Sequence, residues 1–318
     1  MELIPDTNVN WLKYRWVFVG ASLLAILVGV ADIARKGGVR YGIDFSEGTI
    51  VYAKFQNAPE IDRIRTALEN VGLGEAVIQR YDRPELNQVM VRVSREPSAT
   101  GDLDVAATRI ITTLKERYGE NPLLGSSTEI VGPVVGAELR RKALYATLLS
   151  LAAMLLYIGF RFQFIYGFAA TIAVFHDVLI TLGLVSIFNY EVTLNVIAAF
   201  LTLVGYSVND TIVIFDRVRE NQKNLRQKSL YDLINLSVNQ NVRRTILTAG
   251  TTFLSVLALY LYGGEVLKGF SFVLVVGILV GTYSTLAIAS PVVVWWRQFR
   301  DRAPAKDRSK AEAKAARA

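Results

Sequence analysis

The chain has 318 residues, of which 52% are apolar and 20% are charged, and its mean hydropathy is +0.33. This composition favours a membrane protein over a soluble one. The absence of cysteine excludes a disulfide framework and a thiolate metal site, and the single histidine excludes a multi-histidine metal site. The formal charge of +7 would indicate a nucleic-acid partner in a soluble chain, but the loop positions of the basic residues explain it here, so we expect none.

Six segments carry little or no charge over the roughly 20 residues that a helix needs to cross a hydrocarbon core. They are residues 15–33, 143–160, 165–188, 192–215, 245–262 and 266–296. Basic residues flank the first segment as in a signal peptide, but no small-residue cleavage site follows it cleanly, so we interpret it as an uncleaved anchor. The sequence therefore predicts six transmembrane helices.

The distribution of lysine and arginine predicts the orientation of these helices. Both are concentrated between the fourth and fifth spans and after the sixth, whereas the turns at Asn189–Glu191 and Gly263–Glu265 contain neither. Positively charged loops stay in the cytoplasm, so we expect both termini there, in a multi-pass protein of the bacterial inner membrane. The predicted organisation is a cytoplasmic N-terminus (1–14), a first span (15–33), a periplasmic domain (34–142), five further spans (143–299) with a cytoplasmic loop (216–244), and a basic cytoplasmic tail (300–318).

The predicted periplasmic domain combines strand and helix patterns. Alternating or β-rich segments predict strands at 48–55, 75–81, 88–94 and 126–131, with a turn at Asp82-Arg83-Pro84, and amphipathic patterns predict helices at 59–71 and 102–118. The order βαββαβ is that of the ferredoxin-like α+β fold, an antiparallel sheet with two helices on one face. The predicted fold class is therefore a membrane bundle of six helices with a ferredoxin-like domain between helices 1 and 2.

The predicted cytoplasmic loop contains one further helix pattern. Ser229 and the apolar positions after it predict a capped amphipathic helix that lies on the membrane surface or on the end of the bundle. A docking helix for a partner is the alternative. The tail from Arg302 to Ala318 is predicted to be disordered or loosely helical.

Ionisable side chains inside a span are costly, by about 2.5–3.5 kcal/mol on insertion scales, so each is a candidate functional residue. The third span contains His176 and Asp177, and the fourth contains Asp210. Polar residues line the same span at helical spacing (Asn195, Thr202, Tyr206, Asn209), and the fifth span presents a matching face (Arg244, Thr248, Thr251, Thr252, Ser255). Because the two spans are antiparallel, Asp210 and Arg244 both lie towards the cytoplasmic side and could meet.

A carboxylate beside a guanidinium inside the membrane can change its protonation state when water or the cation moves. We therefore predict a proton relay formed by Asp210, Arg244 and Asp177, with protons as the coupling ion. A static ion pair that locks two helices is the alternative. His176 is either a second relay element or a satisfied core residue, and we favour the structural role.

The sequence predicts neither an enzyme nor a cofactor. It contains no nucleotide-binding Gly-x-x-x-x-Gly-Lys loop, no His-Glu-x-x-His and no Gly-x-Ser-x-Gly. Two intramembrane acids would also suit an aspartyl protease, but neither stands in a Gly-x-Gly-Asp context.

Several segments resemble the SecF branch of the SecD/SecF protein-export family, a half-sized relative of the resistance-nodulation-division exporters. They are Gly205-Tyr206-Ser207-Val208-Asn209-Asp210-Thr211, Phe215-Asp216-Arg217, Arg243-Arg244-Thr245 with Gly250-Thr251-Thr252, Phe175-His176-Asp177-Val178, and Val131 to Leu139. The resemblance covers nearly the whole chain. The family's Gly-Ile-Asp-Phe-x-Gly-Gly-Thr segment is present as Gly42 to Thr49 with Glu47 in place of a glycine, so we expect the local turn to differ.

The resemblance implies a function. A SecF-type subunit pairs with SecD in a twelve-span unit that works with the SecYEG channel, with YajC and YidC as further candidate partners. It uses the proton-motive force to complete the passage of unfolded preproteins. In this family Asp210 corresponds to the proton-carrying carboxylate and Arg244 to its essential basic partner. The alternatives are a proton-coupled exporter of small molecules or lipids, whose outer domain would be much larger in a drug exporter, and a passive scaffold for translocon assembly.

Overall fold

The computed structural model describes residues 8–45, 48–74, 76–81, 84–94, 103–131, 133–161, 164–225 and 227–300. Glu47, the predicted turn residues Asp82 and Arg83, and the tail from Arg302 to Ala318 lie outside these ranges. The described helices are α1 (Arg15–Arg35), α2 (Ile61–Glu69), α3 (Leu103–Arg117), α4 (Pro133–Arg161), α5 (Phe164–Ile187), α6 (Leu194–Asn224), α7 (Leu230–Tyr262) and α8 (Gly264–Ser284). The strands are β1 (Gly48–Phe55), β2 (Val77–Tyr81), β3 (Gln88–Ser94) and β4 (Leu123–Val131).

The six predicted spans are confirmed as helices. Within the described ranges, α1 and α4 to α8 are each long and apolar enough to cross a membrane. The α/β elements stand between α1 and α4, so both of these helices meet them at one end of the bundle, which we call the sheet-side end. The other end, where residues 225–229 connect α6 to α7, is called the far end.

Helices α6 and α7 form a long hairpin at the far end, which differs from the separate surface helix predicted there. Ser229 caps α7 as predicted, because its Oγ accepts from the Asp232 backbone N–H at 3.1 Å. The helix then continues without interruption into the fifth span, since no proline occurs between residues 230 and 262. Ile234 and Val238 are fully buried and pack in one cluster with Phe215 of α6. The amphipathic face is therefore covered by α6 rather than by lipid headgroups.

Helix α8 contains a π turn over Thr285–Ala289 and then continues to Arg300. Pro291 explains this irregularity, because proline has no backbone N–H and its ring clashes with the carbonyl four residues earlier, here Ala287. A π turn widens the backbone at such a position and often marks a functional region. The turn brings Thr285 Oγ1 to 3.0 Å from Thr211 Oγ1 of α6.

The α/β unit is a four-stranded antiparallel sheet in the order β2-β3-β1-β4, with α2 and α3 on one face. Val51 and Phe55 of β1 and Val91 of β3 are buried against Ile64 of α2 and Ile110 of α3. The observed element order is the predicted βαββαβ. Strand β4 begins at Leu123, earlier than predicted, because Gly125, Ser126 and Ser127 interrupt the apolar alternation while their backbones still pair with β1.

Two glycines allow α1 and α5 to cross in direct backbone contact. A Cβ at Gly29 would lie 2.6 Å from the Gly183 Cα, and a Cβ at Gly183 would lie 2.7 Å from the Gly29 Cα. Small residues at such crossings let helices approach closely where lipid supplies no hydrophobic driving force.

We expect Gly29→Ala to lower the free energy of unfolding by about 1–3 kcal/mol, as overpacking of a tight contact does. Gly20→Ala is the matched control, because it lies on the same helix with no atom within 4 Å of the added Cβ. Thermal unfolding of the two variants in detergent measures the difference. Equal transition midpoints would show that the crossing tolerates a side chain.

Candidate functional site

Asp210 lies near the middle of α6 and is 7% exposed. Its Oδ2 is fully buried and has no hydrogen-bond partner among the residues that the structure describes. A buried ionised carboxylate normally has several hydrogen bonds or a cation to compensate for lost water. Asp210 is therefore a carboxylate with an open hydrogen-bonding position inside an apolar span.

Arg244 of α7 lies near Asp210 without contacting it. The charge of the guanidinium acts on the Asp210 carboxylate, but the two groups, both in described segments, form no ion pair within 4.0 Å. In this structure the two residues interact through charge but do not form an ion pair.

Arg244 faces an open cavity of about 470 Å³ on the far-end side of Asp210. Charged and amide side chains contribute most of its wall, since α6 supplies Asp216, Arg217 and Glu220 and α7 supplies Gln240, Asn241 and Arg244. Tyr157 of α4 and Ile212 and Val213 of α6 complete the lining. A polar space of this size is wide enough for water, so the cavity can carry protons between the far end and the neighbourhood of Asp210.

The predicted polar stripes lie largely on the surface of this chain. Asn195, Thr202 and Asn209 of α6 and Thr248 of α7 are exposed, and Tyr206 and Thr252 are half-buried. The threonine hydroxyls donate to backbone carbonyls of their own helices, Thr248 to Arg244 at 3.0 Å and Thr252 to Thr248 at 2.9 Å. The Tyr206 hydroxyl lies beside Thr252 but completes no hydrogen bond among the described residues. These faces are available to another protein surface.

Asp177 is the centre of a buried hydrogen-bond network and is 1% exposed. Its Oδ2 accepts from Ser207 Oγ of α6 at 2.5 Å and from Ser284 Oγ of α8 at 2.8 Å. Its Oδ1 lies 2.8 Å from His176 Nδ1, and His176 Nε2 lies 2.8 Å from Ser22 Oγ of α1. The Asp177 carboxylate thus links α5, α6 and α8, and His176 extends the network to α1.

The donor in each of these hydrogen bonds can be assigned by starting from the Phe18 carbonyl, which can only accept. The Phe18 carbonyl accepts from the Tyr283 hydroxyl at 2.7 Å, so Tyr283 has no proton left for Ser22, and Ser22 Oγ donates to Tyr283 at 3.1 Å. Ser22 then has no proton for His176. His176 Nε2 must therefore donate to Ser22.

With Nε2 protonated, the contact between His176 Nδ1 and Asp177 Oδ1 requires one more proton. The proton resides either on the histidine, which gives an ion pair, or on the carboxyl group, which gives two neutral side chains. The His176–Asp177 pair is neutral overall in both cases, as the low-dielectric interior of a membrane favours.

Sequence reasoning missed the other members of the His176–Asp177 hydrogen-bond network. Ser22, Ser207, Tyr283 and Ser284 are isolated hydroxyl residues in apolar helices, and nothing in their spacing links them to one another. The small residues Gly281, Ser284 and Thr285 on one face of α8 were the available signal, because small and hydroxyl side chains mark close helix contacts in membranes. As for metal ions, the described residues contain no group of three or more His, Asp or Glu that could hold one.

Comparisons with known proteins agree on one family. Residues 111–299 match the family described as protein export membrane protein SecD/SecF, C-terminal. The chain is 38% identical to the protein translocase subunit SecF of Koribacter versatilis, with 94% of each chain covered. It is 41% identical to the SecF of Desulfurispirillum indicum, with 91% of this chain and 92% of the other covered.

Two solved structures share the fold. SecDF from Thermus thermophilus, a translocon-associated membrane protein, matches 92% of this chain with 37% identity and a TM-score of 0.78. SecDF in a super-membrane-facing form matches 96% of this chain with 36% identity and a TM-score of 0.69. This chain covers 39% and 41% of those two longer chains.

The two acids differ in their partners, and this difference predicts opposite responses to truncation. Asp177→Ala removes the partner of Ser207, Ser284 and His176, and interhelical hydrogen bonds in membranes contribute about 0.6 kcal/mol each on average. We expect a loss of roughly 2 kcal/mol or more in the free energy of unfolding. Asp210→Ala removes a carboxylate that has an unpaired oxygen, so we expect little loss or a gain. Thermal unfolding of the two variants in detergent tests this, and equal losses would contradict the contrast.

Proposed function

Because this chain belongs to the SecD/SecF protein-export family and matches its SecF subunits over most of its length, we propose that it is the SecF half of a SecDF unit. In this proposal the unit uses the proton-motive force to assist late steps of preprotein translocation. The supporting observation is the open hydrogen-bonding position of the buried Asp210 carboxylate beside a cavity that contains Arg244.

Asp210 is the proton-binding group in this proposal. A carboxylate with an unused oxygen can accept a proton without first breaking a hydrogen bond, whereas every oxygen of Asp177 is already occupied. Transfer of one charge across the membrane potential releases about 2.3 kcal/mol per 100 mV. A free energy of this size shifts the balance between two conformations by more than tenfold.

Arg244 acts on this carboxylate through its charge. When the Arg244 guanidinium approaches Asp210 in the proposed cycle, its positive charge displaces the bound proton into the cavity. Asp177 stays a proposed member of the relay. Its three completed hydrogen bonds, however, favour a structural role in which it holds α6 in place. The His176 contacts support the structural role favoured above.

The polar face of α6 and α7 supports a second membrane subunit. Asn195, Thr202 and Asn209 are exposed on a helix that would otherwise meet lipid, and polar groups at that depth need protein or water. Gly205 on the same face has no atom within 4 Å of an added Cβ. A SecD-type chain, which would supply the remaining part of the longer SecDF chains, fits this face.

Orientation and further partners belong to the same proposal. The far end carries Arg217, Arg219 and Lys223, which supports a cytoplasmic location for it in the bacterial inner membrane, with both termini inside. The sheet-side unit then lies in the periplasm, and its strand order β2-β3-β1-β4 supports the ferredoxin-like assignment. We place SecYEG and the unfolded preprotein beside this unit, with YajC and YidC as further partners on family resemblance alone. Protons are the only cofactor of the proposed cycle, which contains no catalysed reaction.

We expect Asp210→Asn to abolish gradient-dependent secretion while the complex still assembles, because the amide cannot bind and release a proton near neutral pH. Asp62→Asn, an exposed acid in the first turn of α2, is the matched control and should secrete normally. The measurement is preprotein translocation in inner-membrane vesicles with and without an imposed proton gradient. Normal gradient stimulation in Asp210→Asn vesicles would exclude Asp210 as the proton-binding group.

Substitutions of Arg244 distinguish a charge acting at a distance from a fixed ion pair. Lysine retains the charge but lacks the bidentate fork of arginine. Since no ion pair is formed, we expect Arg244→Lys to keep most of the gradient-dependent secretion and Arg244→Ala to reduce it at least about fivefold. The same vesicle assay measures both. Equal defects in the two variants would instead indicate a direct bidentate contact during the cycle.

A further inference from the structure

The segment Gly42–Phe45 belongs to a motif that the proposed function leaves unused. It leads from α1 towards β1 and lies against the turn between α5 and α6, residues 188–193. The Gly42 N–H donates to the Val192 carbonyl at 2.8 Å, and the Val192 N–H donates to the Arg40 carbonyl at 2.7 Å. Tyr41 and Val192 form a parallel β-bridge. The segment is therefore paired to the sheet-side end of the helix that carries Asp210.

Three residues of the motif make this contact specific. A Cβ at Gly42 would lie 2.5 Å from Thr193 Cγ2 and 3.3 Å from the Val192 carbonyl oxygen, so any other residue would displace the Thr193 side chain. Asp44 Oδ2 accepts from the backbone N–H of Leu194, the first residue of α6, at 2.7 Å. Phe45 is 4% exposed and packs in the same cluster as Val192.

The contact of Asp44 with α6 is electrostatic as well as directional. The first N–H groups of a helix have no partner within it, and the helix dipole places partial positive charge there. Thr193 is the N-cap of α6 and accepts from the Val196 N–H, while the Asp44 carboxylate accepts from the Leu194 N–H and so fixes the chain that enters β1 to the start of the helix.

The sheet contacts the same turn a second time, through Arg92 of β3. Arg92 Nη1 forms an ion pair with Glu191 Oε2, and the two side chains are only 11% and 20% exposed. Arg40 Nη2 lies 4.0 Å from the other carboxylate oxygen of Glu191. Strand β3 pairs with both β1 and β2, so this ion pair connects the interior of the sheet to the start of α6.

We propose that Asp44, Arg92 and Glu191 are positioning residues that couple α6 to the four-stranded sheet, so that a movement of α6 driven from Asp210 reaches the sheet. This inference rests on the proposed function. Helix α6 is unbroken from Leu194 to Asn224, and Asp210 lies about 24 Å along it from Leu194. A rigid helix of this length transmits a shift or rotation to its end, where the two contacts act on different parts of the sheet.

Two fluorescent labels test the coupling in vesicles that contain the full complex. The chain has no cysteine, so Ser127→Cys on exposed β4 and Gln227→Cys in the α6–α7 connection each provide one labelling site. Vesicles without either substitution give the background from the partner subunits. The measured quantity is the change in fluorescence when a proton gradient is imposed.

We expect both labels to respond in the native background and neither to respond with Asp210→Asn. With Arg92→Glu, the label at residue 227 should still respond, while the response at residue 127 should fall at least about fivefold. Arg92→Glu combined with Glu191→Arg restores the charge pair and should recover most of that response. If the ion pair had only a structural role, Arg92→Glu would lower the fluorescence response of both labels together.

Asp44→Ala provides a second route if the charge reversal reduces the amount of complex. It removes the acceptor of the Leu194 N–H and leaves the Arg92–Glu191 ion pair in place, and Asp62→Ala is its exposed control on α2. We expect the same selective loss at residue 127 for Asp44→Ala alone.

Besides a loss of response at both labels together, two results would overturn the coupling, and they are distinguishable. If Asp210→Asn silences both labels but Arg92→Glu and Asp44→Ala respond fully at residue 127, the coupling is wrong and the proposed function stands. If Asp210→Asn responds like the native chain at both labels, the proposed function fails and the coupling fails with it.

Discussion

The hydrocarbon interior offers no water to a polar group, and the arrangement of the six long helices depends on this constraint. Most hydroxyl groups on α7 satisfy it locally by donating to a carbonyl one turn earlier, as Thr248 and Thr252 do. Other polar side chains pair between helices, where Asp177 accepts from Ser207 of α6 and Ser284 of α8 and the adjacent His176 extends the network to Ser22 of α1. The helix contacts are thus organised around one satisfied acid, with glycines such as Gly29 and Gly183 allowing the close approach that this network requires.

The second intramembrane acid is arranged in the opposite way. Ser207 and Asp210 are three residues apart on α6, so the Asp177 network fixes the rotation of α6 one turn before Asp210. After that turn the polar groups of α6 are no longer all paired. Asp210 retains an unpaired oxygen, and Arg244 lines an open cavity. A fully paired segment of α6 therefore lies directly beside a segment whose carboxylate is not fully paired.

Helix α6 also connects this region to the sheet-side unit. The N–H of its first residue donates to Asp44 in the chain that enters β1, and Glu191 in the turn before it pairs with Arg92 of β3. The Gly42-Ile43-Asp44-Phe45 motif therefore has a physical explanation within this chain. Glycine leaves room for the close approach, aspartate accepts from the first N–H of α6 and phenylalanine fills the adjacent core. The helix that places Asp210 in the membrane thus begins at a contact with the sheet-side unit.

The sequence by itself determined the six spans, the βαββαβ order and the prominence of Asp210 and Arg244, because apolar length, periodicity and a charge in an apolar run are all local properties. It could not identify Ser22 or Ser284 as partners of the His176–Asp177 pair, since serines are ordinary in such helices and Ser22 lies 154 residues from His176. The sequence pattern also predicted a separate helix after Ser229. In the structure this helix and the fifth span are one continuous helix, α7, whose Ile234 packs on α6. Only the tertiary structure decided which acid is satisfied and which is open, because that depends on which helix faces meet.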